Sequence, residues 1–194
     1  MEANPVNRHG RVHGLFVLMV LSSVVAMSTP TLPRSSPELS IEESGGKTTM
    51  LSSFRGKVVV LEFLFVRSQH CLRVAQVLNQ LQHELGSQGL QAVGIGFDAP
   101  NAAATGGGYL SSMVETLQLT YPVGYSQRTS VDSYLGRTGN EMLSIPQIVI
   151  IDRAGMIRVV NGGQTNPTLE DINSLRLILE PLLKESPPNS KSKV

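Results

Sequence analysis

The sequence predicts an α/β domain, a central mixed sheet with helices on both faces. Three observations carry this. Val58-Val-Val-Leu-Glu-Phe-Leu-Phe65 and Leu90-Gln-Ala-Val-Gly-Ile-Gly-Phe97 are β-branched and aromatic runs of the kind that form strands buried on both faces. Between them the apolar residues recur at helical spacing. Beyond them, a strand, a turn and a second strand precede one last amphipathic stretch, so strands alternate with helices along the chain.

The elements follow in order. Arg8 and Arg11 precede the apolar run Leu15–Ala26, and small and turn-forming residues continue to Pro33. A run of about a dozen residues matches a secretory h-region and falls short of the ~18 to 20 that span a bilayer. Residues 1–27 are therefore expected to be a signal peptide, with Val24-x-Ala26 or Ala26-x-Ser28 as the cleavage site and a mature start near Met27 or Thr29. An uncleaved N-terminal membrane anchor and a buried core helix are the alternatives. The expected location is extracytoplasmic, periplasmic or secreted. Residues 28–44, rich in Ser, Pro, Thr and Glu, read as a linker, and the domain is expected over 45–183.

Within it, Gly45-Gly46 reads as a turn, Thr48–Leu51 as a short strand and Arg55-Gly-Lys57 as a second turn before the Val58 strand. Cys71, Val74, Ala75, Leu78, Leu81 and Leu85 form one helical stripe, with Ser68 placed to cap it and Gly86 or Gly89 to end it. Asp98-Ala-Pro100 stops the Leu90 strand. Tyr109–Leu117 reads as a helix, Val123–Tyr125 as a short strand and Val131–Leu135 as a short helix. Gln147–Asp152 and Met156–Val160 flank the turn Arg153-Ala-Gly155 as a hairpin, Thr168–Leu183 is the closing helix, and 184–194 reads as a disordered tail.

Composition narrows the function classes. Charged residues make up 16% and the formal net charge is +1, so the nucleic-acid footprint of a basic patch is missing and no nucleic-acid partner is expected. A single cysteine in an oxidising compartment forms no internal disulfide, and stability must come from the core. No His/Cys cluster has metal-ligand spacing. Gly94-x-Gly96-x-x-Ala99 is followed by Pro100 rather than a helix, and Gly106-Gly-Gly108 lacks the Lys-Ser/Thr of a phosphate loop, so no cofactor is expected.

The chemistry is concentrated in Phe65-Val-Arg-Ser-Gln-His-Cys-Leu-Arg73. Cys71 lies in the first turn of the helix, where backbone N–H groups favour a thiolate, with Arg67, His70 and Arg73 as candidate positive neighbours. It also lies on the apolar stripe, where a cysteine packs as a small hydrophobe. Glu62 is the one acid in an apolar strand, either a carboxyl of raised pKa or an edge-facing or lysine-paired group. Ile145-Pro146 precedes a buried strand, a position that proline normally avoids.

These signals in this order, "LSSFRGKVVVLEF", a motif loop, a helix, "LQAVGIGFD" and "SIPQIVIIDRAGMIR", resemble the thioredoxin-like superfamily, in its TlpA-like and AhpC/TSA group. The resemblance covers residues ~45 to 183 and implies a thioredoxin-like fold and an oxidoreductase lineage. In that family a C-x-x-C motif follows the strand's Phe by five residues. Counted from Phe63, it falls on Ser68-Gln-His-Cys71, so Ser68 stands at the first cysteine. The resemblance further implies Glu62 as the proton acceptor for Cys71, Pro146 as a cis-proline shaping the substrate groove, and protein thiols or disulfides, or peptide segments, as partners. Three functions stay open: a redox protein with a lone active-site cysteine, a one-cysteine peroxiredoxin-like antioxidant, and a redox-inactive binding module. Leu64 stands where the peroxiredoxin motif has proline.

Overall fold

The computed structural model describes residues 1, 31–43, 46–97, 107–139, 142–162 and 171–186. Apart from Met1, the leader expected over 1–27 lies outside them, as do Asp98-Ala-Pro100, Thr168–Glu170 and the tail beyond 186. No described helix is long and apolar enough to cross a membrane.

The described residues form one sheet of eight strands, ordered β1-β8-β7-β4-β5-β6-β2-β3. The strands are β1 (Arg34–Ser35), β2 (Ser40–Glu43), β3 (Thr48–Met50), β4 (Val58–Leu64), β5 (Leu90–Gly96), β6 (Val123–Tyr125), β7 (Gln147–Ile151) and β8 (Met156–Gly162). The helices are α1 (Gln69–Leu85), α2 (Gly107–Leu117), α3 (Arg128–Leu135) and α4 (Ile172–Lys184). Strands β4, β5 and β6 are parallel, while β7 and β8 run antiparallel to the centre. Every residue of β4 and β5 is buried, as their unbroken apolar runs require.

Alternation along β4 sends Val58, Val60, Glu62 and Leu64 to one face and Val59, Leu61 and Phe63 to the other. Phe63 packs on Tyr134 of α3, with ring centroids 5.6 Å apart. The opposite face carries α1 and α2, as right-handed crossovers between parallel neighbours demand. The α1 stripe expected from spacing is buried at all six positions.

The linker expected over 28–44 is corrected by the structure. Arg34–Ser35 pairs with β8 at one edge of the sheet and Ser40–Glu43 pairs with β6 and β3 near the other. The chain between them crosses the α3 face, where the Ser36 hydroxyl meets the Tyr134 hydroxyl at 2.8 Å. Leu39 and Ile41 are buried. Strands of two and four residues contain too few positions to show a period, which is why composition pointed to a linker. The last helix starts later than Thr168, at Ile172, because Asp171 caps it by accepting from the Asn173 and Ser174 N–H groups. It runs through Lys184, which the sequence had assigned to the tail.

Candidate functional site

Strand β4 ends at Leu64, and a turn closed by the Ser68 N–H donating to the Phe65 carbonyl (3.0 Å) feeds into α1. Ser68 has extended backbone angles, and its hydroxyl accepts from the Cys71 N–H at 3.5 Å, so it is the N-cap that the sequence anticipated. Cys71 is fully buried, at 0% exposure. Its sulfur points back under the strand end, where it accepts from the Phe65 N–H at 3.5 Å. The apolar stripe and the first helical turn thus claim the same residue.

Glu62 also has 0% exposure and sits on a central strand, which removes the edge-facing and lysine-paired alternatives. Neither carboxylate oxygen has a hydrogen-bond partner among the described residues. Burial alone pushes its carboxyl well above the usual range, which favours the protonated form. Tyr121 stands close enough to feel its charge. Burial first and Glu62 second raise the Tyr121 phenol, whose hydroxyl donates to the Ala75 carbonyl on α1 at 3.2 Å. Glu62 therefore faces α1, the helix on which Cys71 lies one turn before Ala75.

Pro146 is buried, and the Ile145-Pro146 bond is cis. Gln147 pairs with Phe63, which puts Pro146 beside the Leu64 end of β4. Ser68, Cys71, Glu62 and Pro146 are therefore gathered at one end of the sheet.

Of the expected positive neighbours of Cys71, one stacks on a ring and the other two meet each other. The Arg67 guanidinium lies over the Tyr109 ring, 4.4 Å from its centroid, and an Arg73 nitrogen is 2.8 Å from Nδ1 of His70. Sequence reasoning missed Tyr109, Tyr121 and Phe97, which packs against Phe63 and Phe65 at 6.5 and 5.0 Å. Each reaches the site from another element, and no local spacing signals it.

A cleft lined by Ser36, Glu38, Leu51, Phe54, Arg55 and Val59 lies at the opposite end of β4. Its Glu38 carboxylate already accepts from the Leu39 and Ser52 N–H groups, at 3.1 and 3.0 Å. No cluster of metal-ligating side chains occurs among the described residues.

A family model described as AhpC/TSA family matches residues 33–160, more than half of the chain. A thiol-disulfide oxidoreductase ResA of Bacillus cereus is 21% identical over 168 residues, covering 81% of this chain and 91% of that protein. Among solved structures, a thiol:disulfide interchange protein of the thioredoxin family from Chlorobium tepidum aligns with a TM-score of 0.64 at 20% identity, over 79% of this chain and 99% of the other. A thiol:disulfide interchange protein from a Bacteroides species aligns at 0.62 with 16% identity, over 81% and 93%. These likenesses show the thioredoxin-like fold. The start of the family match at residue 33 agrees with the strands found inside the expected linker.

Proposed function

The chain belongs to the AhpC/TSA family, and on that premise we propose that it is a protein-binding member of the thiol-redox lineage that keeps the partner groove and lacks the attacking thiol. The observation that carries this reading is the complete burial of Cys71 behind a serine cap. Exchange begins when a thiolate reaches one sulfur of the partner's disulfide. A fully buried sulfur makes no such approach, and the Ser68 hydroxyl is not ionised near neutral pH. The partners are proteins bearing thiols or disulfides, held as extended segments beside Pro146 by backbone hydrogen bonds.

A second reading, exchange by Cys71 as a lone thiol after the first turn of α1 opens, is favoured by two groups. The Phe65 N–H donates to the sulfur, and Glu62 is a buried carboxyl on the face beneath the same helix. Peroxide reduction is the weakest reading, since the sulfur is sealed and Leu64 fills the motif's proline position.

Alkylation of Cys71 followed against pH, together with an assay of disulfide reduction by the parent chain, separates these readings. Binding without exchange predicts labelling only as fast as local opening. Rapid labelling of the native protein, with disulfide reduction by the parent chain, overturns it. The Ser68→Cys variant is expected to form a disulfide with Cys71 and gain reductase activity. The double variant Ser68→Cys, Cys71→Ser is expected to trap partners as mixed disulfides. An intact Ser68→Cys fold with neither disulfide nor activity means that Ser68 does not stand at the nucleophile position.

We also propose export, on the strength of the short apolar run after Arg8 and Arg11. Mass spectrometry of protein from its native host is expected to find a mature start near Met27 or Thr29. Intact Met1 in the cytoplasm overturns this.

A further inference from the structure

We propose that the cleft at the end of β4 away from Cys71 binds a free aliphatic amino acid, with Glu38 taking its ammonium, Arg55 its carboxylate and the cleft floor its side chain. The proposal is independent of the groove beside Pro146.

The cleft opens between three segments: the chain that joins β1 to β2, the 3-10 turn Leu51–Phe54 after β3, and the turn between β7 and β8. Its floor is apolar. Val59 and Ile151 are paired across β4 and β7, and Leu51 and Phe54 line it with them. The cavity measures about 60 Å³, well under the ~150 Å³ that accommodates benzene, so it takes a few methyl-sized groups and no ring.

Two opposite charges stand at its rim. Glu38 Oε1 accepts from the Leu39 and Ser52 N–H groups at 3.1 and 3.0 Å, which orients the carboxylate. Partial burial raises this carboxyl, but the Ser52 side chain and N–H and the Leu39 N–H lower it by more, and the charge of Arg55 adds to the lowering. Arg55 is thus near enough to act on Glu38, yet no ion pair joins the two. Its guanidinium is anchored from the other side, where one nitrogen donates to the Ala154 carbonyl at 3.0 Å. Gly155, with a φ of 83°, makes room for it, and a Cβ at that position would collide with the same nitrogen. One bond leaves the rest of the guanidinium fork open to a carboxylate.

The other charged groups of the cleft are engaged elsewhere. The Asp152 oxygens accept from the Ala154 and Met156 N–H groups and from Arg158, and Lys57 Nζ donates to Gln91 on β5 at 2.9 Å. What remains is a negative and a positive group over an apolar floor. A lone cation or anion answers one of them, and an internal peptide segment answers neither with a charge. A free α-amino acid carries both charges on one carbon, beside its apolar side chain.

The test titrates the full, isotope-labelled chain with L-valine and with three probes that keep its isopropyl group. Isovalerate lacks the ammonium, isobutylamine lacks the carboxylate, and N-acetyl-valine amide carries neither charge. Binding is read from backbone amide shifts. Valine is expected to move the Leu39, Ser52 and Gly155 amides saturably, with a Kd on the order of 1 mM. Each singly charged probe should bind about fivefold more weakly, the upper scale of one exposed ion pair, and the amide at least as weakly as these. Glu38→Gln is expected to weaken valine by about the same factor and leave isovalerate unchanged, while Arg55→Gln weakens valine and leaves isobutylamine unchanged. Equal binding of valine and the singly charged probes overturns the proposal. So does an amide that binds as tightly as valine, which would make the occupant a protein segment. Equal loss of every probe in either variant assigns that residue a merely structural role and overturns its part in recognition. Absence of saturable shifts at the three amides overturns the site outright and leaves the Pro146 reading untouched.

Discussion

Asp152, at the turn between β7 and β8, and Glu62, within β4, are both buried acids of one sheet, yet only Asp152 is given partners. One Asp152 oxygen accepts from the Ala154 and Met156 N–H groups, both at 2.9 Å, and the other from Arg158 at 2.9 Å. Glu62 has none among the described residues. The hairpin end spends its buried acid on shaping a turn, so the charge is satisfied where it is created. The Cys71 end keeps a carboxyl whose ionisation no described residue supports. A buried group left this way destabilises the fold, and sites of chemistry are where such costs are retained.

The largest expected effect lies at the satisfied acid. Asp152→Ala strands two backbone donors and leaves the Arg158 guanidinium with Glu185 alone, and unfolding in urea is expected to show a loss of about 3 kcal/mol. A loss under about 1 kcal/mol would mean that the β7–β8 ladder holds the turn without its side chain, and the contrast with Glu62 would shrink to one of solvation.

The next effect lies at the unsatisfied acid and has the opposite sign. A carboxyl whose folded pKa is raised binds its proton more tightly in the native state than in the unfolded one. Its penalty is absent below the unfolded value near 4.5 and grows as pH rises towards the folded value. The parent should therefore lose stability with rising pH, by up to about 1.4 kcal/mol per pH unit from this group. Glu62→Gln removes that titration and is expected to be more stable than the parent at pH 8, by a margin that widens as the pH rises. At pH 4, where both carry a neutral polar group, the two should match. The difference between the curves is needed, because Glu38, Glu43 and Asp171, whose pKa values are lowered, contribute with the reverse sign at acid pH. A flat difference curve would mean that Glu62 reaches water in solution.

How much of this was legible in the sequence depended on whether the signal was local. The α1 stripe, the buried strands β4 and β5, the hairpin and the Ser68 cap each rest on spacing within a few residues, and each could be read. Glu62 was visible as an acid in an apolar run. That it has no partner among the described residues depends on what β5, β6 and α1 bring over it, which no single segment encodes. Arg67 was read as a neighbour of Cys71 because the two are near in sequence, yet its ring partner comes from α2, 42 residues on. The strands β1 and β2 were read as linker because pairing with β8 and β6, rather than any pattern of their own, makes them strands.

The smallest expected effect extends the comparison of the two ends to helix caps. Asp171 caps α4 with a carboxylate that accepts at 2.9 Å from Ser174 N–H, whereas the Ser68 hydroxyl accepts from Cys71 N–H only at 3.5 Å. A neutral acceptor at the longer distance stabilises less, so Ser68→Ala is expected to cost about 0.5 kcal/mol and Asp171→Ala more than that. The stripe from Cys71 to Leu85 keeps α1 docked in either case, so the loss at Ser68 should be confined to the first turn. Local opening governs access to the buried sulfur, and 0.5 kcal/mol corresponds to about a twofold rise in the Cys71 labelling rate. Labelling that doubles while the urea midpoint barely moves would make the serine cap the latch over the thiol. If Ser68→Ala instead costs more than Asp171→Ala, the cap is one of the stronger supports of the fold, and Ser68 is held in place by stability rather than by its position beside Cys71.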